Sequence, residues 1–154
     1  MNYSGVFILT FCLLVVSCKT KKVASPEVFE GSRLILSHGG GFTGKYTVYC
    51  LLENGQLFKN SKGFEATEPV SGLDRKVTSQ IFSNYEVLGL GNIEMIAYNN
   101  LNYSVTMIDS KGVEHKLNWG KGQEGAEKLQ LFYNNIMNHI KSVKEKGQQT
   151  QQVR

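Results

Sequence analysis

Residues 39–45 of this 154-residue chain read GGGFTGK and fit the first seven positions of a phosphate-binding loop. Such a loop needs a Ser or Thr after the lysine to hold Mg²⁺, and it must open a helix whose N-terminus faces the anion. Here Tyr46 follows Lys45, and the alternating residues after it are typical of a strand. The sequence therefore predicts no nucleotide site and no cofactor, and it makes Lys45 a strand residue.

The glycines then need another explanation, and two are open. Glycine permits positive φ and a close backbone approach, which suits a bulged connection between two strands. The same loop can instead be a recognition surface, with Phe42 either folded back under the sheet or facing a partner. The candidate partner-binding loop consists of Gly39, Gly40, Gly41, Phe42, Thr43 and Gly44.

The three histidines do not have the spacing of a metal or catalytic site. His38 precedes the glycines, His115 lies in a predicted strand and His139 in a predicted helix. None has a His, Asp or Glu partner at the spacing of metal sites, and there is no nucleophile elbow. We therefore expect no bound metal, no catalytic residues and no enzymatic activity.

Trp119 ends an alternating stretch, residues 113–120, in which it shares a face with His115. A lone tryptophan at a strand end either packs under a helix or stacks on a ligand. The second interpretation makes His115 and Trp119 the candidate ligand cleft, between the helices and the sheet.

The N-terminus predicts export and lipid attachment. The apolar run at residues 5–16 is too short for a membrane span, which needs roughly 20 residues, but it suits a signal peptide. Val15, Val16, Ser17 and Cys18 resemble the lipobox of bacterial lipoproteins, in which the cysteine is lipidated. We expect a signal peptide at 1–17, a lipidated tether at 18–31, one domain at 32–146 and a flexible tail at 147–154. The predicted location is the bacterial cell envelope, with the membrane as one partner.

Export leaves Cys50 without an intramolecular cysteine partner, because Cys12 departs with the signal and Cys18 carries lipid. Cys50 lies in a strand-like stretch and is expected to be a buried thiol. The net charge of +4 is mild, and Lys and Arg are dispersed except at the two ends. This distribution does not favour nucleic-acid binding.

The pattern of the remaining chain predicts an α+β fold, an antiparallel sheet of about five strands with two helices on one face. Predicted strands lie at 32–38, 45–53, 56–60 and 113–120, residues 93–98 and 102–109 are strand-like, and residues 61–72 read as a connection. Asn54 and Gly55 predict a two-residue hairpin loop that pairs Leu52 with Leu57.

Two amphipathic helices complete the prediction. Asp74 can cap a helix beginning near Arg75, with Val77, Ile81, Tyr85 and Leu88 on one face. The last helix is expected from about Glu124 to Lys146 and to end at Gly147. Its stripe contains Ala126, Leu129, Phe132 or Tyr133, Ile136, Ile140 and Val143.

Over roughly residues 33–142 the chain resembles the emfourin-like proteins, which are small inhibitors of thermolysin-type metalloproteases. The matching positions are Ser37, Gly40, Gly41, Phe42, Gly44, Tyr103, Val105, Gly112 and His115. The combination of GGGFTG with a later Trp-Gly also resembles small lipoproteins of Bacteroidetes-type bacteria. The first resemblance implies a protease inhibitor and makes a secreted or envelope metalloprotease the expected partner.

These observations leave two main hypotheses for the domain. The leading one is a non-catalytic, lipid-anchored envelope domain that binds a protein, in the manner of an inhibitor. The alternative is a small-molecule-binding lipoprotein that uses the cleft near Trp119. A third, an envelope enzyme, would need His38, His115 and acidic residues within hydrogen-bond reach of one another.

Overall fold

The computed structural model describes residues 25–60 and 65–152, with side chains as far as residue 145. The predicted signal peptide, Cys18 and most of the predicted tether lie outside the described residues. The strands are β1 (Arg33–Gly40), β2 (Lys45–Leu52), β3 (Leu57–Asn60), β4 (Glu68–Val70), β5 (Leu101–Ile108) and β6 (Glu114–Gly120). The helices are α1 (Arg75–Val87) and α2 (Glu127–Gln152).

The described strands form one antiparallel sheet in the order β4-β3-β2-β1-β5-β6. The predicted α+β class is confirmed, although the sheet has six strands rather than about five. The additional strand, β4, falls in the stretch that the sequence indicated as a connection, of which residues 61–64 lie outside the described residues. It is short and contains Pro69, and it lies at the sheet edge, where proline is tolerated.

Alternation along the strands divides the sheet into two faces. One face carries Leu34, Leu36, Leu51, Val105 and Leu117, and it packs against the apolar stripes of both helices in the main core. We call it the helix-covered face. A smaller cluster on the opposite face contains Val48, Cys50, Leu52, Phe58 and Ala66, with Phe29 packed against it.

The predicted start of α1 is confirmed. Asp74 precedes the helix, and its side chain accepts hydrogen bonds from the backbone N–H groups of Lys76 (2.8 Å) and Val77 (3.4 Å). These are donors that a helix cannot satisfy internally. Ile81 and Tyr85 of the predicted stripe are buried.

Both ends of α2 differ from the prediction. The helix begins at Glu127 because Gly125 has a φ of +79°, and it continues past Gly147 to Gln152. A single glycine costs only about 1 kcal/mol in a helix, and the glutamines that follow are good helix formers. The prediction that Gly147 ends the helix was therefore wrong.

The predicted hairpin register was also wrong by one residue. Leu57 pairs with Leu51 and Phe58 with Cys50, because residues 53–55 form a three-residue loop. Only Gly55 has positive φ (+91°), whereas a two-residue type I′ turn needs positive φ at both positions. As a result Leu57 faces the helices and Phe58 faces the smaller cluster.

Residues 93–98 do not form the expected strand. Ile96 makes an isolated parallel bridge to Asn118, with hydrogen bonds from Ala97 N to Asn118 O (2.9 Å) and from Asn118 N to Met95 O (2.8 Å). The segment therefore lies along the edge of β6 without joining the sheet as a full strand.

Candidate functional site

The glycine loop connects β1 to β2 and has a backbone shape that requires glycine. Gly40 pairs with Lys45 at the end of the β1–β2 ladder, and Gly41–Thr43 form a single 3-10 turn. Gly40, Gly41 and Gly44 have φ angles of +104°, +69° and +58°. Residues with a Cβ rarely adopt these angles, so the conformation is encoded by the glycine spacing itself.

A hydrogen bond attaches this loop to the chain that enters β5. The backbone N–H of Gly41 donates to the carbonyl oxygen of Asn100. Asn100 is held in turn, because its N–H donates to the Asn99 side chain at 2.7 Å and the Asn102 side chain accepts from Asn99 N at 2.7 Å. The loop therefore rests on a second ordered segment at the same end of the sheet.

Phe42 projects from this loop into solvent and is 110% exposed. Of the two positions that the sequence allowed, the structure has the outward one. Tyr98, two residues before Asn100, is 78% exposed, and Ile96 is also exposed. We call residues 41–44, which include Phe42, together with Tyr98 the loop-end surface.

Lys45 begins β2, so its predicted place in a strand is confirmed. It extends the β1–β2 ladder and opens no helix, so the loop has no helix N-terminus behind it. The geometry of GGGFTGK is therefore that of a strand connection that carries an aromatic side chain.

The sheet keeps His38 and His115 apart. His38 stands opposite Tyr103 and His115 opposite Met107, so they are separated by two strand spacings and four residues along the strands. This is a distance of roughly 16 Å. Among the described residues, no group of three or more His, Cys, Asp or Glu side chains could hold a metal ion.

Each of these two histidines instead bonds to a tyrosine on a helix. His38 Nδ1 lies 2.6 Å from Tyr133 Oη in α2, and His115 Nδ1 lies 2.6 Å from Tyr85 Oη in α1. His115 Nε2 is 3.1 Å from the carbonyl oxygen of Ile93, which can only accept, so Nε2 donates there and, in the neutral ring, Nδ1 accepts from Tyr85. The two pairs fasten the helices to the sheet.

The electrostatics of these pairs keep the tyrosines protonated. Burial raises the pKa of Tyr85 to about 12, with a smaller contribution from the Glu86 carboxylate. Burial also raises the pKa of Tyr133, assisted by Tyr103 and Tyr49. The pKa of His38 is lowered, first by burial and then by the charge of Lys141. Protonated tyrosines and a neutral His38 are suited to structural hydrogen bonds.

Trp119 is 1% exposed and packs under α2. Its indole N–H donates to Gln130 Oε1 at 3.0 Å, and its ring stacks with Tyr103 at a centroid distance of 6.0 Å. The adjoining cavity has a volume of about 190 Å³ and is lined by Trp119, Gly120, Gly122, Gln123, Ala126, Glu127 and Gln130. His115 does not line it, and ligand pockets usually enclose about 300–1,000 Å³.

Cys50 is buried in the smaller cluster. Burial raises the pKa of its thiol to about 11, although Arg33 acts in the opposite direction. A thiol that stays protonated is a poor nucleophile, so Cys50 serves as a small apolar side chain here.

The tyrosine partners of the histidines were not identified from the sequence. The one sequence feature that could have identified Tyr133 was the apolar stripe of α2, in which either Phe132 or Tyr133 was expected to point inward. Both are buried, because Phe132 contacts Tyr85 and Tyr133 reaches His38. A buried tyrosine needs a polar partner, and this requirement would have favoured a histidine on the sheet.

No protein-family model matches this chain, and no curated protein matches it. The resemblance to emfourin-like proteins therefore stays a prediction. No helix in the described part of the chain is long and apolar enough to cross a membrane.

Proposed function

We propose that the chain is a lipid-anchored protein of the bacterial cell envelope, attached through Cys18, whose domain binds a protein partner at the loop-end surface. The observation that carries this proposal is the full exposure of Phe42 on a loop whose three positive-φ glycines fix its shape. Exposing an aromatic ring forgoes about 1.5–3 kcal/mol of burial free energy. A preformed loop with an aromatic tip can recover that free energy on binding with little ordering cost.

The direction of β1 supports this role. The segment before β1 is held at the start of the strand, where Arg33 Nη1 donates to the carbonyl oxygens of Pro26 (3.0 Å) and Phe29 (3.2 Å). The glycine loop is at the other end of the eight-residue strand, roughly 26 Å away. A tether that leads to Cys18 therefore enters the domain far from Phe42, and the loop is free for a partner.

The resemblance to emfourin-like proteins suggests the class of partner, a secreted or envelope metalloprotease. In this form of the proposal the domain acts as an inhibitor. The loop-end surface then occupies part of the enzyme, and Phe42 supplies the apolar contact.

Affinity capture from envelope extract tests the site, with wild type compared with Phe42→Ala and Val113→Ala. Val113 is an exposed apolar residue beside the β5–β6 turn, at the opposite end of the sheet, and is the matched control. We expect one partner to be lost with Phe42→Ala and retained with Val113→Ala. Identical partner sets for all three proteins would contradict the proposed surface.

Two further measurements separate the parts of the proposal. Thermolysin activity assayed in the presence of wild type and of Phe42→Ala tests inhibition. If wild type does not inhibit the enzyme, the inhibitor form of the proposal is contradicted and only binding to a partner without inhibition is left. Mass spectrometry of the mature N-terminus tests the anchor, with a lipid-modified Cys18 as the expected result. An unmodified Cys18 would contradict the location, whatever the capture experiment gives.

A further inference from the structure

Two lysines are neighbours of Tyr49 on the helix-covered face, one by contact and one by strand register. Lys144 of α2 donates from Nζ to Tyr49 Oη at 2.6 Å, and Nζ lies 4.7 Å from the centre of the Tyr49 ring. Lys59 stands directly opposite Tyr49 in the β2–β3 ladder, which places their Cβ atoms roughly 5 Å apart. We call Tyr49, Lys59 and Lys144 the Tyr49 cluster.

Lys141 adds a further positive charge near this cluster. It lies one helical turn before Lys144, and its charge contributes to the lowered pKa of His38. His38 stands opposite Thr47, which is two residues from Tyr49 on the same face of β2. The positive charges of α2 therefore extend over β1 and β2.

In and beside the Tyr49 cluster, several hydrogen-bond donors have no acceptor among the described residues. Tyr49 Oη accepts from Lys144, so the proton of its own hydroxyl remains to be donated. In the described part of the chain, no side chain or carbonyl oxygen accepts from that hydroxyl or from the ammonium groups of Lys59 and Lys141. Tyr49 is only 4% exposed, so its hydroxyl is held in one place by packing.

Two carboxylates near this group do not fill the role of acceptor. Glu68 faces Lys59 across the β3–β4 ladder but is exposed and, within the described residues, forms no ion pair with it. Glu145 follows Lys144 directly and therefore points about 100° away around the helix. The positive charge remains available to an external anion.

We infer that the Tyr49 cluster binds a phosphate-class oxyanion, either the free anion or the phosphodiester headgroup of an anionic lipid. A phosphate group offers several acceptor oxygens around one centre, which suits the Tyr49 hydroxyl and the Lys144 ammonium, with Lys59 beside them on the neighbouring strand. A lysine acts on such a group as a point charge, and the Tyr49 ring holds that of Lys144 in position. This site is separate from the glycine loop and does not depend on the proposed protein partner.

Calorimetric titration at constant ionic strength tests the site, with the full chain in a non-ionic detergent. Inorganic phosphate represents the free anion, and glycerophosphoglycerol represents the headgroup of an anionic lipid. Lys144→Met removes the central charge, and Tyr49→Phe removes only the hydroxyl while keeping the ring. Lys111→Met, in the exposed turn between β5 and β6, is the matched control for the loss of one lysine.

We expect affinity for the tighter-binding anion to fall about tenfold in Lys144→Met and about fivefold in Tyr49→Phe, with no change in Lys111→Met. Thermal unfolding of each variant shows whether it is folded. If Lys144→Met does not fold, the anion affinity of Tyr49→Phe tests the site on its own. Tighter binding of one anion than the other identifies the source of the phosphate group. Absence of binding to wild type at about 10 mM of either anion, or an equal loss in Lys111→Met, would overturn the inference.

Discussion

The helix-covered face and the loop-end surface use aromatic side chains in opposite ways. On the helix-covered face, Tyr85, Tyr133 and Trp119 are buried, and each polar atom bonds to a named partner. At the loop-end surface, Phe42 and Tyr98 are exposed. The first set is explained by stability alone, because burial of aromatic rings and satisfied polar groups is what a core requires. The second set contributes little to the fold, so stability does not explain the exposed aromatic side chains of the loop-end surface.

The largest expected difference between the two regions is in the free energy of unfolding. Trp119→Ala should lower it by about 3–5 kcal/mol, because the substitution leaves a cavity under α2 and removes the bond to Gln130. Phe42→Ala should change it by less than about 0.5 kcal/mol, because the ring contacts mainly solvent. Urea unfolding of both variants measures the contrast. A loss above about 1 kcal/mol in Phe42→Ala would assign Phe42 to the fold and weaken the proposed surface.

Gly39 and Gly44 should also differ in how much an alanine substitution lowers the free energy of unfolding. A Cβ at Gly39 would lie 2.2 Å from the Lys45 carbonyl oxygen and 2.6 Å from Tyr46 Cα, which are backbone atoms of the paired strand. At Gly44 a Cβ would have nothing within 4 Å, and only the φ of +58° opposes it. Gly44→Ala should therefore cost about 1–2 kcal/mol, and Gly39→Ala should cost more. Equal losses in urea unfolding would show that the β1–β2 ladder yields easily at Gly39.

The sequence predicted the elements with strong local signals. Asp74 before an amphipathic stripe located the start of α1, and the alternation of residues 45–53 and 113–120 located β2 and β6. These features depend on a few neighbouring residues, so a single chain suffices to find them. The hairpin register failed for the opposite reason, because Asn-Gly is compatible with both two- and three-residue loops and the sheet decides between them.

The candidate site was only partly predictable. The glycine spacing located the loop and Phe42, but the direction of the ring depends on whether the sheet has room beneath it. The pairs His38–Tyr133 and Tyr49–Lys144 join residues 95 positions apart in sequence. Such contacts follow from the path of α2 across β1 and β2, which no local pattern encodes.

The hydroxyl of Tyr85 provides a smaller test of the helix-covered face. Tyr85→Phe should destabilise the domain by about 1–3 kcal/mol, because it leaves Nδ1 of His115 without its donor in a partly buried position. Tyr98→Phe removes an exposed hydroxyl and should change the free energy of unfolding by less than about 0.5 kcal/mol. Urea unfolding of the two variants measures the difference. Equal effects would indicate that water replaces Tyr85 at His115.

The smallest expected effect is on the pH dependence of stability and concerns His38. Its pKa is lower in the folded protein than its ordinary value of 6.5, so the unfolded chain binds the proton more tightly. The contribution of neutral His38 is therefore complete above about pH 6.5 and declines as the pH falls through that value. The His38–Tyr133 bond should accordingly weaken in acid, where the imidazolium would also face the Lys141 ammonium.

Urea unfolding at about pH 8 and about pH 5.5 measures this effect in wild type and in His38→Gln. The variant should lose less stability on acidification, because glutamine does not titrate. Lys141→Met should fall between the two, since burial is the larger cause of the lowered pKa and remains in place. If wild type and His38→Gln lose equal stability, His38 keeps its ordinary pKa in the folded protein. The contact between α2 and β1 would then be open to water, and the helix-covered face would resemble the loop-end surface more closely than its packing indicates.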